Sequence, residues 1–192
     1  MQHRLTSSSS FRIVLGLFFL ITGLEVINLL TGRMLNQFAL FPRETQGLAG
    51  IIVSPFIHGS FWHYLSNIVP LCLFSFLLLQ YGHGRFWIVT LLIISLTGVL
   101  VWLFGRSAFH LGASGLVYGY FGFLVLAGFL SKKPKLIGIS LLVAFFYGGL
   151  IFGVLPLQSF ISWESHLFGL ISGLLAAKLW ARDSTQAKQK FA

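Results

Sequence analysis

The sequence predicts an all-α membrane protein, a bundle of six transmembrane helices with both termini on the cytoplasmic side. Three observations predict it. The 192 residues are 56% hydrophobic and only 9% charged, with a mean hydropathy of +0.88, whereas soluble domains carry about 25% charged residues. The apolar residues gather into six runs, each close to the ~20 residues that cross a bilayer core about 30 Å thick. The lysines and arginines then fall unequally on the two sides of those runs.

The runs are Phe11–Leu30, Phe61–Gln80, Phe86–Phe104, Ala113–Leu130, Leu136–Leu155 and Ser165–Ala181. The first follows Arg4 and Arg12 and has the outline of a signal peptide. Its apolar stretch is too long for one and no Ala-x-Ala cleavage pattern follows, so the expectation is a retained first span. Short hairpins join the later runs, Tyr81–Arg85 and Ser131–Lys135 on one side, Gly105–Gly112 and Pro156–Glu164 on the other. The connection Thr31–Ser60 is much longer. Its mix of Phe38, Leu40, Phe41, Leu48, Ile51, Ile52 and Phe56 with polar residues places it in or on the outer interface. Residues 1–10 read as a cytoplasmic tail, 11–181 as the membrane domain and 182–192 as a basic cytoplasmic tail.

Orientation follows from the basic residues. One side holds Arg4, Arg12, Arg85, Lys132, Lys133, Lys135, Lys178, Arg182, Lys188 and Lys190; the other holds Arg33, Arg43 and Arg106. The positive-inside rule makes the richer side cytoplasmic. The same distribution disposes of nucleic acid as a partner: the net charge of +9 is spread over inter-span stretches and forms neither a basic domain nor a basic face. The single cysteine, Cys72, lies inside an apolar run, can form no intrachain disulfide and has no electropositive neighbour in sequence to activate it.

Polar groups inside lipid are costly and point to function. Spans 2, 4 and 6 all run from outside to inside, and each carries polar residues in its first turns: His63 and Asn67, Ser114, and His166. They therefore share one layer near the outer face. His166 stands twelve residues before Lys178 and Ser114 eighteen before Lys132, about 18 and 27 Å along a helix, so both lie below the outer surface. His63 and Asn67 are four residues apart, as are Ser114 and Tyr118, and so face one way. Gly169 and Gly173 follow His166 on one helix face, and Gly115, Gly119 and Gly122 thin span 4, so the two backbones can approach closely. That approach brings an imidazole toward a serine hydroxyl, the arrangement of nucleophilic catalysis. The Ser114 backbone N–H at a helix start, with the His63 and Asn67 side chains, supplies donors for an oxyanion. Gly112 and Gly115 permit the tight loop-to-helix turn that exposes such a serine.

Together, His63-x-x-x-Asn67, Gly112-Ala-Ser114-Gly115 with Tyr118, and His166-x-x-Gly169-x-x-x-Gly173 resemble the rhomboid family of intramembrane serine proteases. The resemblance covers residues 11 to 181, the six-helix core. It implies that Ser114 is the nucleophile and His166 the general base of a dyad without an acid. It further implies that His63, Asn67 and the Ser114 amide form the oxyanion hole and that Tyr118 packs against the His166 ring. The Thr31–Ser60 connection would be the family's membrane-embedded first loop and Pro156–Glu164 the cap, with spans 2 and 5 flanking substrate entry. Ala49-Gly50 stands near the place where many bacterial members carry Trp-Arg, and Gln80 where a glutamate is usual, which suggests a divergent bacterial branch. The implied activity is endopeptidase cleavage of single-pass membrane proteins near the outer face of the bacterial cytoplasmic membrane, with no cofactor and no metal.

Each residue also has a plainer reading. A serine in a membrane helix ordinarily hydrogen-bonds its own backbone, and an asparagine is ordinarily an interhelical clasp; only their joint placement with two histidines argues catalysis. His58 reads as structural, His110 as loop packing, His83 and His3 as cytoplasmic, and Glu164, two residues from His166, as a first-turn charge rather than a triad member. Glu25 reads as a snorkelling or helix-bonding group. An aspartyl mechanism lacks its two membrane aspartates, since the only aspartate is Asp183, and a zinc protease lacks H-E-x-x-H. A transporter would place charges at mid-depth. The stronger rival is a noncatalytic rhomboid-like factor that binds membrane proteins or serves their quality control. A variant that trims C-terminal membrane tails also fits the sequence.

Overall fold

A computed structural model describes residues 2–157 and 161–181. Its helices are α1 (Gln2–Leu30), α2 (Gly50–Val53), α3 (Phe61–Leu79), α4 (His83–Phe104), α5 (Ser114–Ser131), α6 (Pro134–Tyr147) and α7 (Trp163–Trp180), with 3-10 turns at Met34–Phe38, Thr45–Leu48, Ser54–Phe56 and Gly148–Val154. Among the described residues, five stretches are long and apolar enough to cross a membrane: Ser8–Leu30, Phe61–Leu79, His83–Phe104, Ser114–Ser131 and Pro134–Val154. The protein is a multi-pass integral membrane protein. The sixth expected span, α7, is a helix of 18 residues but falls short in apolarity, because Glu164, Ser165, His166, Ser172 and Lys178 interrupt it. Much of its polar content is covered by neighbouring helices: Glu164, His166 and Ser172 are all buried.

The helices depart from the apolar runs at two places. Residues 2–10 form the first turns of α1, and within them Ser10 is buried and meets Nε2 of His83 at 3.1 Å. The fifth run is not one helix. It turns into a 3-10 stretch at Gly148, where Gly148-Gly149 withdraws two side chains and adds backbone freedom unfavourable to the α-helix. The basic tail 182–192 and residues 158–160 of the connection before α7 lie outside the described residues.

The centre of the bundle is α5. Of its most apolar stretch 72% is covered by protein, against 17% for α1. Its glycines decide what covers it. A methyl group at Gly119 would overlap Ile93 of α4, one at Gly122 would stand 2.7 Å from the Leu170 carbonyl oxygen of α7, and one at Gly128 would overlap Leu136 and Ser140 of α6. From the α7 side, a methyl at Gly169 or Gly173 would overlap the carbonyl oxygens of Gly115 and Gly119. The backbones of α5 and α7 are therefore in contact with no side chain between them, the small-residue packing that joins helices in lipid.

The long connection is folded rather than extended. Gly32 and Arg33 take positive φ values of 64° and 69° and turn the chain back at the end of α1. Ala39, Leu40 and Ile57 are buried, while Met34, Phe38, Leu48 and Ile52 are exposed, as a segment lying between protein and interface requires. A side chain at Gly50 would run into the Leu40 backbone, and one at Gly98 of α4 would meet Ile51 at 2.5 Å. Gly50 thus has a structural reason to be glycine in this chain. Leu40 pairs with His110 in an isolated antiparallel bridge, which ties this connection to the loop that leads into α5.

The α5–α7 contact yields the first prediction. Gly173→Ala forces a methyl against a backbone carbonyl that cannot rotate away, and overpacking of this kind costs ~1–3 kcal/mol. The melting temperature in detergent is expected to fall by several degrees, whereas Gly138→Ala, with open space around it in the middle of α6, leaves it unchanged or raises it slightly.

Candidate active site

The site forms where the loop before α5 meets the first turns of α3 and α7. Gly112 has φ +104°, a left-handed conformation that favours glycine. Its N–H donates to the Ser54 carbonyl at 2.9 Å, and α5 begins two residues later at Ser114. An added side-chain carbon at Gly112 would stand 2.5 Å from Cε1 and Nε2 of His63, so the His63 ring lies against the turn that presents the serine. Ser60 caps α3 by accepting from the His63 N–H at 3.1 Å. Asn67, one turn below, is buried and donates through Nδ2 to the His63 carbonyl at 2.7 Å, which uses one of its two amide hydrogens.

His166 is held on two sides. Its ring stacks on Tyr118, with centroids 4.1 Å apart and planes inclined by only 6°. Its Nδ1 lies 2.8 Å from the Gly153 carbonyl oxygen. A carbonyl only accepts, so Nδ1 carries the proton and Nε2 of the neutral ring keeps its lone pair. Tyr118 sits one turn below Ser114 on α5, and the Gly169 and Gly173 contacts set α7 at the height that brings His166 over it. The Ser114 hydroxyl is half-buried and is hydrogen-bonded neither to His166 nor to any other described residue. Such contacts commonly tighten only when substrate binds.

The other singled-out residues have structural partners. His58 is fully buried, and its Nε2 accepts the Ala113 N–H at 3.3 Å. Its ring stands edge-on to His63 at 5.2 Å and to Tyr64 at 5.7 Å. His110 joins Ser162 through Nδ1 at 2.5 Å and the Arg106 carbonyl through Nε2 at 3.1 Å. Glu164 accepts the Arg106 N–H at 3.3 Å and faces its guanidinium at 3.6 Å, which pins the loop before α5 to the start of α7. Glu25 pairs with Arg33 at 2.7 Å. Sequence reasoning missed Gly153; the Gly148, Gly149 and Gly153 spacing near the C-terminal end of the fifth run was its only signal. Among the described residues no group of three or more potential ligands could hold a metal.

Residues 45–183 match the Rhomboid domain family. Uncharacterized proteins of Mycobacterium tuberculosis and Mycobacterium bovis are each 35% identical to the chain over 173 residues, covering 85% of it and 72% of theirs. An uncharacterized protein of Mycobacterium leprae is 35% identical over 164 residues, 81% of this chain and 65% of that one. The chain belongs to the rhomboid family, whose members are generally intramembrane serine proteases.

Two predictions follow from the geometry. A methyl at Gly153 would overlap the Tyr118 hydroxyl and stand 3.4 Å from Nδ1 of His166, so Gly153→Ala is expected to break the stack, lowering catalytic rate and stability together by ~1–3 kcal/mol. The comparison of kcat and melting temperature with Gly149→Ala, which has open space, checks it. Burial pushes the His58 imidazole down from 6.5 to about 3, helped by the nearby His63 and Arg33, and burial also lowers His110. Both histidines bind protons more readily unfolded than folded. Their stabilising effect is thus complete above pH 6.5 and lost as pH falls, for His58 by up to about 1.4 kcal/mol per unit. Thermal unfolding in detergent between pH 7.5 and 4.5 should show the decline, and His58→Gln should make it shallower.

Proposed function

We propose that this chain is an intramembrane serine endopeptidase that cleaves transmembrane segments of membrane proteins through a Ser114–His166 dyad. The observation that carries the reading is the state of His166. It is stacked on Tyr118 and its Nδ1 proton is committed to the Gly153 carbonyl, so Nε2 is the nitrogen left to take a proton. In the proposed reaction Nε2 accepts the Ser114 proton while Oγ attacks the scissile carbonyl carbon. The developing oxyanion is met by the Ser114 N–H at the positive end of α5, by His63 and by the second Nδ2 hydrogen of Asn67. The imidazolium then returns its proton to the leaving amine. Water, deprotonated by the same nitrogen, hydrolyses the acyl-enzyme and frees Ser114.

The basic residues support an orientation with both termini in the cytoplasm and the site opening toward the outer face, in a bacterial cytoplasmic membrane. Single-pass membrane proteins are the proposed substrates. Their helices must unwind locally to offer a peptide bond, which favours small or helix-breaking residues near the cut.

The test is cleavage of a model transmembrane substrate by purified protein. Ser114→Ala and His166→Ala are each expected to lower kcat by roughly 10³-fold or more with the fold intact, and Asn67→Ala by about 10²-fold. A fluorophosphonate should label Ser114 in the wild type. Undiminished cleavage by Ser114→Ala would sink the dyad. Wild-type protein that binds the substrate but never cuts it would favour the noncatalytic membrane-protein binder.

A further inference from the structure

Outside the dyad, a set of buried polar contacts among the described residues joins the outer end of α1 to the amide that precedes the serine. Glu25 is 3% exposed and Asn28 is fully buried, positions in a lipid-crossing helix that need strong compensation. Arg33 places a single nitrogen, NH1, between the Glu25 carboxylate at 2.7 Å and the His58 backbone carbonyl at 3.0 Å. Asn28 donates through Nδ2 to that same carbonyl at 3.1 Å and accepts the Leu35 N–H through Oδ1 at 3.0 Å. The carbonyl of residue 58 is thus gripped twice, and the ring of the same residue accepts the Ala113 N–H.

The consequence at the site is geometric. The first amides of a helix have no partner within it, and the residues opening α5 present several at once. With the Ala113 N–H turned onto His58 and the Gly112 N–H onto Ser54, the peptide planes ahead of Ser114 are set. The Ser114 N–H, in the next peptide plane, is then the first unbonded donor available to a reacting carbonyl. An error of about 1 Å in such a donor can cost 10²-fold in rate.

We propose that Glu25, Asn28 and Arg33 of the α1 end are positioning residues for the Ser114 site, acting through the His58 carbonyl and ring on the Ala113 amide. The inference rests on the Ser114–His166 reading. All three residues precede residue 45, where the family match begins, so this support comes from outside the matched domain.

The test uses full-length protein in detergent, with kcat counted per Ser114 labelled at saturation by a fluorophosphonate so that unfolded protein is not counted. Arg33→Met and Asn28→Ala are expected to lower kcat at least ~10-fold while KM stays within about two-fold. Arg33→Lys keeps one cationic nitrogen able to meet both Glu25 and the carbonyl, and should recover kcat to within about three-fold of wild type. Hydrogen exchange at the Ala113 amide is expected to accelerate in Arg33→Met and Asn28→Ala but not in Arg33→Lys. A wild-type kcat per labelled serine in both deletions, or unchanged exchange at Ala113, overturns the inference while leaving the dyad standing. Wild-type cleavage by Ser114→Ala removes the dyad and this catalytic role together, and the exchange measurement then still reports whether α1 sets the amide.

Discussion

The site depends on a contact that has no side chains in it. Gly169 and Gly173 of α7 lie against the carbonyls of Gly115 and Gly119 of α5, so each glycine pair is one turn apart on its own helix. Lipid offers helices no hydrophobic reason to associate; packing at close range has to supply it. The same contact fixes register. A slip of one turn would move α7 by about 5.4 Å and carry His166 off the Tyr118 ring. The geometry of the candidate site and the cohesion of the bundle are thus two readings of a single interface.

Around that interface two buried carboxylates have cationic partners. Glu25 meets Arg33 and Glu164 meets Arg106, so the C-terminal part of α1 and the first turn of α7 each carry a paired carboxylate. Removing one partner of such a pair strands a buried charge, which costs far more than the pair contributes. Arg43 works differently: it donates to the Leu103 and Gly105 carbonyls and closes the end of α4, where a helix leaves acceptors unfilled.

Much of this could be read from the chain. Five of six spans and the long first connection follow from hydropathy, and i, i+4 spacing puts His63 with Asn67 and Ser114 with Tyr118 on shared helix faces. The glycine face of α7 was legible because Gly169 and Gly173 stand at helical spacing from His166. Other features were not. Hydropathy cannot show that the fifth run leaves the α-helix at Gly148, because the residues that follow remain apolar. No local pattern says that the Gly153 carbonyl would orient a histidine thirteen residues away, since a carbonyl has no sequence signature. Glu25 read as a snorkelling or helix-bonding group because its partner, Arg33, is brought back to it by a left-handed turn at Gly32 and Arg33 that nothing in the identity of Arg33 announces.

The two supports of His166 are unequal in a way that bears on its chemistry. Tyr118 belongs to the most enclosed helix, whereas Gly153 belongs to a 3-10 stretch with no buried residue, at the end of a run only 17% covered by protein. The ring plane is therefore anchored in the most enclosed helix, while the preference for one nitrogen over the other is anchored in a stretch with little protein around it. Displacement of that stretch by an arriving polypeptide would leave the ring in place but make its two tautomers more nearly equal in energy. The basicity of the imidazole would then depend on where a lipid-facing backbone happens to stand.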